Sequence, residues 1–252
     1  MIYYLEKSVF MNFFVPKEYV NDSQIIIKGS DVNHIKNVLR HVIGDVLDVV
    51  SENIKYSAKI VEINSEFIKC EIVDVHKEDV SNVKITIFQG LAKADKVEYI
   101  IQKCTELGVY EIAPVEMKRC VVKLDSKDKI KKIERWKKIA EVAAKQSLRN
   151  DILKIEKIYS FEDMKNSIKN YDYVILAYEK EKDVTLKSIL KKIDCDSVNI
   201  AVIIGPEGGI DDNEVTELIA QGATSVTLGK RILRTETVPV AMSAIIMYEL
   251  ES

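Results

Sequence analysis

The chain has 252 residues, of which 47% are hydrophobic and 31% are charged, and its formal net charge at pH 7 is −3. This length and apolar content suffice for one large or two modest domains with buried cores. No apolar run approaches the roughly eighteen residues of a membrane span, and the start lacks the pattern of a secretory signal, so a cytoplasmic protein without membrane association is expected.

Residues 1–75 are predicted to form a separate β-rich domain, a small barrel or curled sheet. Its strands show near-alternating apolar and polar residues between short polar turns. They are predicted at Gln24–Lys28, Asp45–Val50, Lys55–Ile63 and Glu66–Val75. After the first strand, Ser30 is predicted to cap a helix. The apolar face of that helix comprises Val32, Ile35, Val38 and Leu39.

A polar stretch without periodicity, residues 76–82, marks the domain boundary, and residues 83–252 are predicted to form an α/β domain with a mainly parallel sheet. The predicted strands are Val83–Phe88, Tyr110–Val115, Lys154–Ile158, Tyr173–Leu176, Ile200–Ile204 and Ala223–Leu228. The predicted helices are Lys93–Leu107, Ile130–Ser147, Phe161–Ile168, Leu186–Ile193, one from Asp211 to near Gly222, and Pro239–Leu250.

Two loops rich in glycine or polar residues each follow an apolar strand of this domain. Gly205–Gly209 follows Ile200–Ile204, and Asp211 with Glu214 then forms a capping box at the start of a helix. The second loop, Lys230–Thr237, leads into the last helix. Loops at the carboxyl ends of neighbouring parallel strands form a crevice in which open α/β sheets bind ligands.

Cysteine and histidine positions argue against a metal site or a disulfide framework. The four cysteines, one of which is Cys195, are far apart in sequence and form no Cys-x-x-Cys pair. His34 and His41 lie two helical turns apart but have no third ligand nearby. No metal is therefore expected.

Positive charge is concentrated in one segment although the whole chain is acidic. Residues 118–138 contain ten basic and three acidic side chains, whereas residues 205–252 contain three basic and eight acidic ones. Such a run is often only a solvated helix face, and the alternative is part of an RNA-binding surface.

Two motifs together resemble a known family. Ile204–Gly209 and Leu228–Thr237 are similar to the paired signature of the knotted SPOUT-class methyltransferases. Within that class the chain most resembles the enzymes that methylate N3 of a uridine in the 16S ribosomal RNA of the small subunit. The resemblance implies a trefoil knot, S-adenosyl-L-methionine as cofactor, and 16S ribosomal RNA or the small ribosomal subunit as partner.

The resemblance extends from Phe13–Pro16 to the carboxyl terminus. His34–Arg40 is similar to a motif of the family's amino-terminal PUA-like domain, a module associated with RNA binding. The implied RNA contacts are Arg40, Lys93, Arg119 and Arg149. The implied cofactor pocket comprises Leu176, Ala177, Tyr178, Glu179, Ile204, Gly205, Pro206, Glu207, Gly208, Gly209, Leu228, Gly229, Ile232, Leu233 and Thr235.

Two residues of the second loop are candidates for catalysis. Uridine N3 carries a proton and reacts only after that proton leaves, so a carboxylate to orient or accept it and a cation near the uracil oxygens are needed. Glu236 and Arg234 are the candidates for these roles. Alternatively, Glu236 caps the last helix and Arg234 pairs with Glu207.

The last helix is apolar nearly all round, which indicates burial in the domain or against a second subunit. Relatives are homodimers, and the resemblance implies a homodimer here. Two other functions agree less well with the sequence. A dinucleotide-dependent oxidoreductase lacks its Gly-x-Gly-x-x-Gly fingerprint in this sequence, and an RNA-binding protein without activity leaves the loop Ile232–Thr237 unexplained. A methyltransferase of the same class acting on another RNA is a further alternative.

Overall fold

The computed structural model describes residues 11–76, 81–193 and 197–251. Within them the chain forms two compact units. The first comprises residues up to 80 together with 144–151, and the second comprises residues 81–143 and 152–252. Cys195 and the first ten residues lie outside the described ranges.

The first unit is built on a five-stranded sheet in the order β1-β3-β4-β5-β2. The strands are β1 Asn12–Phe14, β2 Gln24–Lys28, β3 Val46–Ser51, β4 Ile54–Ile63 and β5 Phe67–His76. β1 runs parallel to β3, and the other neighbours are antiparallel. Because β1 and β2 are edges, the predicted β-rich domain is an open, half-barrel sheet. Alternate residues such as Ile25 and Ile27 face its core.

The turn between β3 and β4 follows from its sequence. Glu52 and Asn53 both have positive φ, at 48° and 63°. Two consecutive residues of this kind make a tight hairpin turn whose twist matches that of the strands, and asparagine tolerates the conformation well. The predicted polar turn at this position is confirmed.

The helix after β2 begins differently from its prediction. α1 spans Ser30–Asn33, and its cap residue is Gly29, without a side-chain hydrogen bond. The prediction of Ser30 as the cap is therefore wrong. Gly29 adopts φ +75°, a conformation that glycine reaches without steric cost, so the backbone turns one residue earlier than expected.

The chain continues from α1 as a π-helical turn over His34–Val38. Leu39 N–H donates to the carbonyl of His34 at 2.9 Å, five residues back. The wider turn changes which side chains face the core. Ile35 is buried as predicted, whereas the prediction for Val38 is wrong, because this side chain is 60% exposed.

The second unit contains a six-stranded, all-parallel sheet in the order β11-β9-β10-β6-β7-β8. The strands are β6 Val83–Gly90, β7 Glu111–Glu116, β8 Tyr159–Ser160, β9 Tyr173–Ala177, β10 Val198–Ile204 and β11 Thr224–Val226. β10 lies in the middle of the sheet. The last five of its residues, Ile200–Ile204, are all buried, as expected for a strand covered on both faces.

Helices connect these strands, and the predicted α/β class is confirmed. They are α2 Ala94–Glu106, α3 Ser126–Gln146, α4 Phe161–Ser167, α5 Leu186–Leu190, α6 Asp212–Ala220 and α7 Thr237–Leu250. The capping box of Asp211 and Glu214 at the start of α6 is present as predicted. No helix among the described residues is long and apolar enough to cross a membrane.

The predicted strand at Lys154–Ile158 is wrong. Lys154 forms one isolated bridge with Glu111, and the ladder with β7 is made by Tyr159–Ser160 instead. Leu153 and Ile155 are nevertheless buried. This segment thus packs its apolar side chains into the core without following β7, which alternation alone cannot distinguish from a strand.

Residues 144–151 belong to the first unit although the sequence assigns them to the second domain. The Lys145 ammonium lies 2.9 and 3.0 Å from the carboxylate oxygens of Asp31 in α1. The Asn12 amide donates to the carbonyl of Arg149 at 2.8 Å. Residues 144–151 are thus tied to α1 by an ion pair and to β1 by a hydrogen bond. The predicted domain bounds at 75 and 83 stay a prediction.

Replacing Lys145 by methionine is expected to destabilise the protein by about 3 kcal/mol, because the Asp31 carboxylate is left partly buried without its ammonium partner. Urea unfolding measures the change. The matched control is Lys131→Met, an exposed lysine of the same helix. Adding Asp31→Asn to Lys145→Met is expected to restore part of the loss. Equal midpoints for the Lys145 and Lys131 variants would contradict this assignment.

Candidate active site

Four neighbouring strands of the second unit end at one edge of the sheet. β11, β9, β10 and β6 lie side by side and run parallel. The loops that leave them, residues 227–236, 178–185, 205–211 and 91–93, therefore begin at the same edge. In open parallel sheets this edge is where ligands bind.

The loop after β10 has no room for side chains at its glycines. A Cβ on Gly205 would lie 2.7 Å from Cγ1 of Ile210. Gly209 has φ +71°, and a Cβ there would lie 2.8 Å from Oε1 of Glu179. Gly209 N–H also donates to the Pro206 carbonyl at 2.9 Å, which closes a turn. The glycines thus form a compact backbone cradle.

The end of β6 meets this loop at very short range. A Cβ on Gly90 would lie 2.5 Å from Cδ and 2.6 Å from the backbone nitrogen of Pro206. Since the nearest atoms belong to a proline ring and to backbone, neither can move aside as a flexible side chain would. Glycine is therefore required at position 90.

Polar contacts from the loop after β7 hold the start of α6. Lys118 N–H donates to Glu214 Oε1 at 2.9 Å, and its ammonium lies 3.0 Å from Asp211. Arg119 lies 3.5 Å from the Gly208 carbonyl and 3.5 Å from Asp211. The hydrogen bond from Lys118 is the main cause of a lowered pKa of Asp211. The capping carboxylate therefore stays charged, and the glycine loop is braced from outside.

The loop after β11 presents backbone groups to solvent. Within the described residues, the peptide N–H groups of Lys230–Leu233 make no hydrogen bond. Ile232 is 85% exposed beside them, and Leu233 is partly buried. Thr235 is buried, and its hydroxyl donates to the Gly205 carbonyl at 2.7 Å. The loop is therefore fixed at its end and open along its middle.

The loop after β9 is fastened by a carboxylate that the sequence analysis did not single out. Glu181 accepts from the hydroxyl of Ser225 at 2.5 Å and from the N–H of Asp183 at 2.9 Å. These bonds lower the pKa of Glu181 to about 2, the Ser225 hydroxyl contributing most. Nearby, the Tyr178 hydroxyl donates to Asp212 at 3.0 Å. Tyr178 and Glu179 are thus held on a braced turn.

Charged side chains meet where the loops after β6, β10 and β11 converge. The Lys96 ammonium lies 3.1 Å from Oε2 of Glu236 and 3.4 Å from Oε1 of Glu207. The Lys93 N–H also donates to Glu207 at 3.2 Å. Lys96 thus links the two loops that carry the candidate carboxylates.

The two carboxylates of this cluster keep their charge. Burial acts to raise the pKa of Glu236, but its own N–H and the charges of Lys96 and Arg234 outweigh burial, and the pKa is lowered. Burial also acts to raise the pKa of Glu207. Backbone hydrogen bonds and the charge of Lys96 outweigh burial, so this pKa is lowered too. Both groups are carboxylates at neutral pH.

The alternatives for the catalytic candidates are resolved in part. Glu236 occupies the cap position of α7, but its side chain makes no capping hydrogen bond. Arg234 is 83% exposed, and its guanidinium lies 4.0 Å from Glu236. Its ionic partner is thus Glu236 and not Glu207. The pair lies at the opening of the loop, with the arginine facing solvent.

Comparison with known proteins identifies the family. The family model of an RNA methyltransferase domain matches residues 79–247, and that of an RNA methyltransferase PUA domain matches residues 27–73. The chain is 35% identical to ribosomal RNA small subunit methyltransferase E of Bacillus subtilis (strain 168), over 89% of this chain and 90% of the relative. The chain belongs to the ribosomal RNA small subunit methyltransferase E family.

Other members of the small subunit methyltransferase E family resemble the chain over nearly its whole length. The protein from Mesomycoplasma hyopneumoniae (strain 232) is 34% identical over 88% of this chain and 94% of the relative. A crystal structure of the Neisseria gonorrhoeae protein, bound to S-adenosyl methionine, is 27% identical, with a TM-score of 0.83 over 95% of this chain and 98% of that one. The PUA-like and α/β assignments are thereby confirmed.

The structure places most of the cofactor residues predicted for this family at one edge of the sheet. Gly205–Gly209, Leu228–Leu233 and Tyr178–Glu179 lie on its loops. Leu176 and Ile204 are buried strand residues, so their side chains support the loops from beneath. Their roles in binding stay predictions.

The predicted RNA contacts divide between the two units. In the second, Lys93 occupies the cap position before α2, and Arg119 braces the glycine loop. In the first, Arg40 is exposed with φ 58°, whereas Arg149 has only 11% of its side chain exposed and forms two bonds with Asp151, at 3.0 and 2.8 Å. The four RNA roles stay predictions.

The family's site contains residues that the sequence analysis did not propose. Lys96 lies on α2, where a lysine is typical of an exposed helix surface. Gln89 is a polar residue that is 1% exposed, at the end of a mostly apolar strand. A single polar residue in that position is the sequence feature that could have indicated its role. Glu181 carries no comparable signal, because a glutamate in a loop is common.

Replacing Gly90 by alanine is expected to displace the loop after β10 and to abolish the thermal stabilisation that S-adenosylmethionine gives, because the new Cβ occupies the position of Pro206. Thermal unfolding with and without the compound measures this. The control is Gly222→Ala, where nothing lies within 4 Å of an added Cβ and only the backbone conformation is strained. A Gly90 variant that the compound stabilises as much as the Gly222 variant would refute the steric requirement.

Proposed function

We propose that this protein transfers the methyl group of S-adenosyl-L-methionine to N3 of a uridine in the 16S ribosomal RNA of the small subunit. The observation that carries the proposal is the pair of backbone loops, residues 205–209 and 228–233, beside the Lys96–Glu236 ion pair in a chain of this family. The names of its relatives specify small-subunit ribosomal RNA, and the gonococcal relative binds the cofactor.

The cofactor fits the residues at this edge. An adenosine needs apolar contacts for its ring and backbone donors and acceptors for its polar atoms, and the segment Lys230–Leu233 offers both. The glycine cradle at Gly205–Gly209 lets a ligand approach the backbone without meeting a side chain. When bound, the cofactor supplies an electrophilic methyl group on a sulfonium, and the protein contributes alignment.

The substrate atom imposes two demands on the protein. N3 of uridine lies on the Watson–Crick edge, so the base must be unpaired or flipped out before it reacts. N3 also carries a proton, which must leave for the nitrogen to become a good nucleophile. The negative charge then spreads onto the two neighbouring uracil oxygens.

Glu236 and Arg234 meet these demands. With a lowered pKa, Glu236 is charged at neutral pH and accepts a hydrogen bond from N3–H. The same lowered pKa makes it a weak base, so the carboxylate would orient the imide, accept the N3 proton as N3 takes up the methyl group, and then release that proton to solvent. Lys96 holds the carboxylate in place, and the exposed guanidinium of Arg234 stabilises charge on the uracil oxygens.

Basic residues of both units supply RNA contacts. Arg40 of the first unit is exposed, and within the described residues it forms no ion pair, so it is available to a phosphate. Lys93 and Arg119 of the second unit lie next to the glycine loop. Arg149 is held by Asp151, and its contribution is through the turn that it fixes. An RNA substrate of the ribosome also implies a cytoplasmic location.

The surface of α7 supports a homodimer. One face is buried in its own unit, including Met242 and Ile246. The residues spaced as 241, 244, 245 and 248 form another face, where Ile245 is 42% and Tyr248 is 82% exposed. An apolar helix face open to solvent is typical of a subunit interface. The trefoil knot implied by the resemblance stays a prediction.

Transfer of tritium from labelled S-adenosylmethionine to small ribosomal subunits that lack the modification tests the function. Nuclease digestion and nucleoside identification are expected to find the label in N3-methyluridine. Cofactor binding without transfer to subunits or to free RNA would remove the ribosomal assignment. That outcome would favour a non-catalytic RNA-binding protein or a methyltransferase for another RNA.

Glu236→Gln and Arg234→Ala are expected to lower the transfer rate by about 100-fold or more, because each removes a group that acts on the reacting base. Single-turnover rates at saturating cofactor measure the effect, and calorimetry checks that cofactor affinity is kept. Lys169→Ala, which removes an exposed cation outside the site loops, is the control. Near-normal rates in both variants would rule out these catalytic roles.

Ile245→Asp is expected to convert the dimer to a monomer, because it places a charge in the apolar face of α7. Light scattering after size-exclusion chromatography measures the mass. Ile130→Asp, at a 60% exposed position of α3, should remain dimeric. A wild-type protein that is monomeric at micromolar concentration would overturn the dimer proposal.

A further inference from the structure

Gln89 is a buried amide at the point where three segments of the second unit meet. It is 1% exposed, at the end of β6. Its Nε2 lies 3.1 Å from the Gly90 carbonyl, 3.3 Å from the Gly205 carbonyl and 3.0 Å from the Thr235 hydroxyl. One side chain therefore contacts its own strand, the glycine loop and the loop after β11.

The contacts around Gln89 form a closed triangle. The Thr235 hydroxyl donates to the same Gly205 carbonyl, at 2.7 Å, and so it accepts from Gln89. This arrangement fixes the orientation of the amide, because a flipped amide would place its oxygen against the carbonyl oxygens of Gly90 and Gly205. The amide is thus a donor to both loops.

The amide oxygen of Gln89 indicates that this residue does more than fill space in the core. Gln89 Oε1 is buried, and it has no hydrogen-bond partner within the described residues. A buried acceptor without a partner costs free energy, and an apolar side chain of the same size would avoid that cost. The donor function toward the loops is what the glutamine provides and leucine cannot.

We propose that Gln89 is a positioning residue that locks the loops 205–209 and 228–236 into the relative position required to bind the cofactor. Gly90, the next residue, lies against Pro206 and sets the same approach by steric contact. Gln89 adds directional hydrogen bonds to that contact, because its amide binds both Gly205 and Thr235. The effect of Gln89 on cofactor binding rests on the proposed function. Its effect on the relative position of the two loops does not.

Hydrogen exchange in the ligand-free protein tests the lock without any cofactor. Gln89→Leu is expected to increase exchange by about tenfold or more at the hydrogen-bonded amides of both loop ends, Gly209 (bonded to Pro206) and Thr237 (bonded to Arg234), since each loop loses its anchor. The matched control is Thr86→Val, a buried polar residue on the same strand that lies 3.5 Å from Glu111 and contacts neither loop. Unchanged exchange in both loops, or an equal increase in the control, would overturn the proposal.

Cofactor affinity provides the second readout. Calorimetry with S-adenosylhomocysteine is expected to show a dissociation constant at least about tenfold higher for Gln89→Leu, with Thr86→Val near wild type. Gln89→Leu and Thr235→Val are expected to be non-additive, because they break the same triangle. Wild-type protein that fails to bind this compound would refute the proposed function, while the exchange experiment still decides on the lock.

Gln89→Glu gives a signature that a general loss of stability cannot produce. A protonated carboxyl group can donate one hydrogen to the loops, whereas a carboxylate would repel the Gly90 and Gly205 carbonyls. Cofactor affinity of this variant is expected to improve as the pH falls, while that of the wild type stays flat over the same range. A flat profile for the variant would contradict the donor role.

Discussion

The site depends on how closely the backbone of β6 approaches the loop after β10. At Gly90 and Pro206 the two segments are too near for a single Cβ between them. Because the contact is between backbone and a proline ring, it has little freedom to relax. The positions of the glycine cradle, of the Thr235 hydroxyl and of the Lys96 ion pairs are all defined relative to this approach.

Ion pairs also connect the loops that this close packing positions. Lys96 lies between Glu207 and Glu236, so carboxylates from two loops share one cation. Burial acts to raise the pKa of each carboxylate, but backbone hydrogen bonds together with the Lys96 charge outweigh it, and the pKa is lowered. The exposed Arg234 is left facing solvent, where a nucleic acid can reach it. The arrangement separates structural charge, held inside, from charge offered to a substrate.

Much of this could be predicted from sequence, because local rules operate strongly here. The strand at Ile200–Ile204 and the capping box at Asp211 follow from apolar run length and side-chain chemistry, and both are confirmed. The loops at the carboxyl edge follow from the parallel sheet. The resemblance supplied the cofactor and the family, which periodicity alone does not reveal.

The misses have physical causes. A π turn shifted the phase at Val38, and Gly29 replaced Ser30 as cap because it could take a positive φ. Gln89 and Glu181 form hydrogen bonds with residues far away in sequence, so no local sequence pattern predicts these partners. Within the site, the anchoring contacts were therefore harder to foresee than the loops that they anchor.

The six-stranded sheet ends in very short strands on both sides. β11 has three residues and β8 has two, so each edge exposes only a short row of unpaired backbone groups. Long, flat edges recruit strands from other molecules and lead to aggregation, and truncation of the edge strand is one of the ways in which proteins prevent it. The sheet therefore offers little template for extension by a neighbouring chain.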